Sequence, residues 1–352
     1  MRASYDFNGN ARVQFVRQAD GSFQNTTHPR FAGAVLTQGP GAHTLRLKDG
    51  TLWRFTTGWF PRGPGNLSGL WLLVEQSDRN GNRLTITRNQ FGELTQLTEP
   101  GGRALTFTVE VLPAFNTARI TTITDPLGRT VRYGYTSTSP RRLETVTDPA
   151  GGVTRYTYTS EGKILTITDP RGITYISNEY DAQGRVVRQT QADGGVWTFQ
   201  YEGPAGRHTS VRVTDPRGSL TVDRLSNGGF AGEAIDALGQ TTRLERDPRG
   251  QVVATTDPLG RATRFTYDAQ GNVTSITDPA GNTRTFTYES TFNRATSIRD
   301  PLGNTTTFGY DAQGNLASIT DPLGATTTIA YNSFGQPISP TDPLLKTTTF
   351  TY

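Results

Sequence analysis

The 352-residue sequence has no cysteine and a single methionine. Without thiols there is no disulfide framework, no cysteine-ligated zinc and no thiol nucleophile. Lysine is almost missing too: Lys48, Lys163 and Lys346 are the only ones, so arginine carries the positive charge. The arginines are scattered, with no dense basic run, and the net charge is only +4. That spread fits a solvated, charge-mixed sheet face better than a nucleic-acid surface, and no nucleic-acid partner is expected. No apolar run approaches the roughly 18 residues of a membrane helix, so no membrane insertion is expected. The first residues, Met1 to Phe7, contain no apolar core of a secretory signal. His28, His43 and His208 are the only histidines and lie far apart, which argues against a triad or metal site built on them. The glycine-rich piece Gly63-Pro64-Gly65 matches neither a Walker loop nor a dinucleotide fingerprint. No cofactor and no catalytic residue is read from the sequence.

What is present is turn and strand chemistry. The 39 glycines and 20 prolines are dispersed rather than clustered, which marks many tight turns. Between them stand Thr, Tyr, Phe and Val, residues that suit pleated, half-buried strands.

These features recur. Asp-Pro-x-Gly opens at Asp125, Asp148, Asp169, Asp215, Asp257, Asp278, Asp300 and Asp321. Asp125-Pro126-Leu127-Gly128, Asp257-Pro258-Leu259-Gly260, Asp278-Pro279-Ala280-Gly281 and Asp321-Pro322-Leu323-Gly324 show the form. Degenerate copies are read at Asp78, Glu99, Asp193, Asp236 and Asp342. The intervals run from 21 to 26 residues, and 21 is the commonest. About half a period on comes a second marker, as in Tyr267-Asp268-Ala269-Gln270-Gly271 and Tyr310-Asp311-Ala312-Gln313-Gly314. An aromatic such as Phe265 stands two residues before the tyrosine. Fixed self-similarity of this kind is the signature of a repeat architecture.

One copy, Asp257 to Thr277, reads as a β-hairpin. Asp caps the first turn, Pro presets φ, and Gly takes the left-handed closing position. Residues 262–267 alternate, with Thr263, Phe265 and Tyr267 on one face. After the second turn, residues 272–277 return. Val273 and Ile276 are three apart, so strict alternation puts them on opposite faces unless a bulge reunites them. A lone hairpin is unstable, so copies must pair edge to edge. The expectation is an all-β fold of about 24 strands over the array. Its antiparallel sheet is continuous and twists as it widens. A propeller of four-stranded blades is the rival, but no 42-residue super-period is visible.

The stretch Asp257–Thr277 resembles a YD repeat of the Rhs family. Such repeats also occur in the B and C components of insecticidal toxin complexes and in teneurins. The resemblance covers residues 78–352, and the array stops mid-repeat at Tyr352. Residues 1–77 resemble the irregular, hairpin-rich segment before Rhs repeats. It implies a sheet curling into an open or partial shell around a C-terminal toxin or other cargo, in a secreted or cell-surface protein used in competition between cells. The implied partner is the protein's own cargo domain or a second protein, and the implied role is structural, not enzymatic. The self-cleaving core segment of the family has no counterpart here.

The aspartates could suggest calcium, and Asp78–Asn82 vaguely resembles a calcium loop. The full loop pattern is missing, and turn capping accounts for every copy. Trp53 and Trp59 could stack on sugars, which would make cell-surface glycans partners in an adhesion role. Three of the four tryptophans lie in the irregular first segment, where they also serve as core area.

Overall fold

The computed structural model describes residues 2–6, 12–25, 31, 33–57, 71–112, 117–138, 141–203, 209–225 and 231–352. Among them are 31 β-strands and no helix. Twenty-four of the strands lie between Arg83 and Thr341. The all-β reading and the tandem hairpins are therefore as expected.

Each hairpin begins from its turn. The Asp257 N–H donates to Arg261 O at 3.0 Å, and the Gly260 N–H returns to Asp257 O at 2.9 Å. Gly260 has φ +79, a conformation that costs glycine little. This is a three-residue loop made of a type I turn and a left-handed residue, whose twist matches the flanking strands. The Tyr-Asp turn is built the same way: Asp268 N–H to Asn272 O at 2.9 Å and Gly271 N–H to Asp268 O at 3.2 Å. The two turn motifs are thus one backbone structure. The copy read at Asp193 is displaced by two residues. Its turn opens at Gln191, whose N–H reaches Gly195 O at 2.8 Å. Asp193 takes the third position there and accepts the Gly195 N–H at 2.9 Å. An aspartate can cap this loop from either place, so spacing alone misplaced the start.

The bulge left open by the sequence is present. Between strands Ala262–Tyr267 and Val273–Thr277, Phe265 faces Ile276 but Tyr267 faces Val273. Thr274 is the extra residue, and skipping it brings Val273 and Ile276 to the same face. The same shift recurs opposite Tyr135, Tyr158, Tyr288, Tyr310 and Tyr331. A repeating aromatic face is built from a pattern that does not strictly alternate.

The chain forms two compact units. The first comprises Met1–Trp59, Leu67–Ile86 and Glu245–Tyr352, and the second Phe60–Asn66 and Thr87–Leu244. In the first, antiparallel pairing runs unbroken from strand Val252–Thr256 to strand Pro337–Thr341. In the second it runs unbroken from Leu94–Thr98 to Ala231–Ile235. Neither breaks into separate four-stranded blades. Burial is uneven within the first unit. Phe15, Phe23, Phe31, Leu36, Leu45 and Phe55 form a closed apolar cluster. The repeat aromatics Phe265, Tyr267, Phe286 and Tyr288 are only half-buried. The repeats cover their aromatics mainly with the neighbouring strands, whereas the N-terminal strands close a core.

Candidate functional site

The conspicuous chemistry lies at the turns and the tyrosines. In Asp257, Oδ1 accepts the N–H groups of Leu259 at 3.0 Å and Arg261 at 2.9 Å, and Oδ2 accepts Arg261 Nε at 2.7 Å. Asp278 and Asp300 replace the arginine by Asn282 and Asn304, each donating Nδ2 at 2.8 Å. These side-chain donors, then backbone N–H groups, hold the three carboxyls below the usual aspartate range. In Asp169, Asp181 and Asp215 the backbone N–H groups of Ile173, Arg185 and Ser219 lead the same lowering. Asp78, at the start of the calcium-like stretch, is engaged in its turn as well. Its Oδ1 accepts the N–H of Asn80 and of Asn82 at 2.9 Å, and its Oδ2 accepts Asn82 Nδ2 at 2.7 Å.

The marker tyrosines tie each hairpin to the one before. Tyr267 OH donates to Val252 O at 2.7 Å, Tyr288 OH to Val273 O at 2.8 Å, and Tyr310 OH to Ala295 O at 2.7 Å. The acceptor is the first residue of the preceding return strand. That strand's ladder with the tyrosine's own strand begins only at Ser275↔Thr285. The phenol therefore satisfies a carbonyl that the sheet leaves open. Burial pushes the Tyr288 phenol up, which keeps it a donor. Tyr288→Phe should lower stability by about 1–2 kcal/mol, since Val273 O would lose its partner. Urea titration of the two proteins measures this, and an unchanged midpoint would show that the rung contributes nothing.

In the second unit, an arginine covers the tyrosine ring. The guanidinium carbons of Arg119, Arg142 and Arg185 lie 4.2, 5.6 and 4.5 Å from the ring centres of Tyr135, Tyr158 and Tyr201. Each arginine precedes its tyrosine by sixteen residues. Sequence reading missed this pairing, although a regular Arg-to-Tyr offset was there to find.

In the first unit, two N-terminal turns sit on the edge formed by late Tyr-Asp turns. Asn293 Nδ2 donates to Lys48 O at 2.9 Å, and Arg46 Nη1 to Thr291 O at 3.1 Å. Farther along, Asn315 Nδ2 donates to Asn80 Oδ1 at 2.9 Å, and Asn82 Nδ2 to Phe334 O at 2.9 Å. The turn at Glu289 is one residue longer than its neighbours, closing on Arg294 O rather than four residues on. Its extra length carries the Phe292 ring against Gly50 and Gly314, where any Cβ would collide with it. Nothing in the repeat pattern announces these contacts, because the partners are more than 230 residues apart.

Trp53 is half-buried and meets Phe31 edge-on at 6.2 Å, on the border of the apolar cluster. Trp71 stacks on the buried His43 ring at 3.3 Å, and burial lowers the imidazole pKa. Trp59, His28 and His208 lie outside the described residues.

The RHS Repeat family matches residues 142–174, 180–220, 233–262, 246–283, 267–294 and 290–326. No curated protein matches. Among solved structures, the chain is similar to TcdB2-TccC3 without its hypervariable C-terminal region, at 15% identity over 97% of this chain and 24% of that one, with a TM-score of 0.30. It is similar at 13% identity, over the same shares and with the same score, to a Tc holotoxin pore from Photorhabdus luminescens. A porin-like protein from Bacteroides uniformis shows 11% identity over 84% of this chain and 92% of that one, with a TM-score of 0.15. The chain spans about a quarter of the length of the Tc chains it resembles. By its matched repeats, and by the recurring turns and tyrosines within them, the chain is an Rhs/YD-repeat protein.

Proposed function

We propose that this chain is a non-catalytic wall segment of a secreted or cell-surface Rhs-type protein, enclosing or presenting a cargo polypeptide. The observation that supports this most is the unbroken strand pairing within each unit, with tyrosine rungs at the joins led by Tyr135, Tyr158, Tyr180 and Tyr201 in the second unit and by Tyr267, Tyr288, Tyr310 and Tyr331 in the first. A sheet that adds one hairpin at a time, with each pair of neighbours hydrogen-bonded, extends as a wall rather than forming a compact catalytic domain. The aspartate carboxylates spend their acceptor capacity on their own turns, which leaves them to structure rather than chemistry. The implied cargo is the protein's own C-terminal domain or a partner protein. Protease protection of the full-length protein tests the reading. Cargo inside the intact protein should be cleaved at least tenfold more slowly than the same cargo freed by denaturation. Equal rates would count against it.

A further inference from the structure

Tyr180 breaks the rule that an arginine covers the tyrosine. The covering arginine stands immediately before the residue whose carbonyl the tyrosine hydroxyl bonds. For Tyr180, bonded to Ile164 O, Lys163 holds that place, seventeen residues back because the Tyr180 strand carries a register shift. Its side chain reaches the next turn, as Arg142 reaches Gly162, and a Cβ on Gly184 would stand 2.7 Å from Lys163 Cε, but the lysine brings no guanidinium. Among the described residues no guanidinium lies over the Tyr180 ring. The gap is an open cavity of about 640 Å³ between the turns at 159–163 and 181–185, lined by Glu161, Lys163, Asn178, Glu179 and Tyr180 among others. That volume lies within the roughly 300–1,000 Å³ of ligand sites.

The first unit shows what occupies a comparable place. Before Tyr331, the covering position holds Asn315 rather than arginine. There the guanidinium arrives from a distant hairpin turn: Arg79 Nη2 donates to Asn315 Oδ1 at 3.1 Å. Burial, then the Asp311 charge, raises the Tyr331 phenol pKa, and the Arg79 charge works against that rise. The turn that delivers it, Asp78-Arg79-Asn80-Gly81-Asn82, wedges Asn80 against Gly335. At Tyr331 an arginine-bearing turn from elsewhere thus stands in for the missing arginine, whereas before Tyr288 the covering residue, Asn272, is met by Asn293.

We propose that the cavity over Tyr180 is a docking site for an arginine-bearing hairpin turn of a partner polypeptide. The Tyr180 ring offers a cation–π face. Glu161 and Glu179 supply carboxylates. The present partner of Glu179 is Arg188 at 2.8 Å, in a pair whose side chains are 61% and 45% exposed, so exchanging it costs little. Asp181 is committed to Arg185 and takes no part. The site stands apart from any question of enclosure, since it needs only the two adjacent turns.

The probe is a synthetic cyclised hairpin peptide with the sequence Ser77–Arg83, titrated into the full chain by calorimetry. One saturable site is expected, weakened at least tenfold when the peptide carries Arg79→Lys. In the protein, Lys163→Arg restores the covering arginine within the chain. That variant should keep or raise the melting temperature and lose peptide binding at least tenfold. Glu161→Gln should weaken binding about threefold without changing the melting temperature. Absence of binding at millimolar peptide, or undiminished binding by the folded Lys163→Arg protein, would overturn the proposal.

Discussion

Phe15→Ala should cost the N-terminal strands about 3–5 kcal/mol, and Leu45→Ala about 2–5 kcal/mol. Both side chains are 0% exposed. Phe15 packs on Phe31 with ring centres 6.3 Å apart, so its removal leaves a cavity that several rigid strands must collapse to fill. The cost should be local. Hydrogen exchange should speed up most in strands Val35–Gly39, Ala42–Arg46 and Leu52–Thr57, which carry the cluster. Strands Thr283–Tyr288 and Thr305–Tyr310 should change far less, because repeat stability is a sum of neighbour terms. As a control, Leu323→Ala at a turn tip removes a side chain that is 94% exposed, and it should stay within about 0.5 kcal/mol of the parent. If Phe15→Ala loosened all the repeats equally, the N-terminal cluster would be the keystone of one cooperative unit, contrary to this account.

Stability should fall in two separate steps on acidification. The first belongs to His43, whose pKa burial lowers. Its neutral form is favoured in the folded chain, so the stability it contributes is complete above the unfolded value of about 6.5 and is lost as pH falls from there toward the folded pKa. The second belongs to the turn aspartates. Asp257, Asp278 and Asp300, held down first by Arg261, Asn282 and Asn304, and Asp169, Asp181 and Asp215, held down first by backbone N–H groups, all titrate below their unfolded value. Their contribution is complete above about pH 3.9 and is lost as pH falls through the folded pKa values, because the unfolded chain takes the protons first. Many copies of one turn titrate together, so this second step should be the steeper. Urea midpoints between pH 8 and pH 2 measure both. His43→Leu should remove the first step and leave the second. Asp257→Asn with Asp278→Asn should flatten the second alone. A single step that both variants leave in place would show that other groups govern acid unfolding.

Much of this molecule was legible in its amino acids. A turn such as Asp257–Arg261 is closed by five neighbouring residues, so Asp, Pro and Gly at fixed offsets specify it without help from the rest of the chain. Repetition then made the hairpins, their approximate number and the family resemblance readable. Where local chemistry allowed two answers, as with an aspartate at the first or third turn position, the sequence reading slipped by two residues at Gln191. What tertiary structure alone decided involves partners far apart along the chain. Whether Val273 and Ile276 share a face depended on a bulge set by the strand opposite. The carbonyl that Tyr288 satisfies is open only because the adjoining ladder stops short of it. The seat of the Lys48 and Asn80 turns on late repeats, and the Phe292 ring between Gly50 and Gly314, join residues that no local pattern relates. Local backbone preference is written in a few adjacent side chains, whereas the choice among surfaces those hairpins offer one another is settled only when distant segments compete for the same contacts.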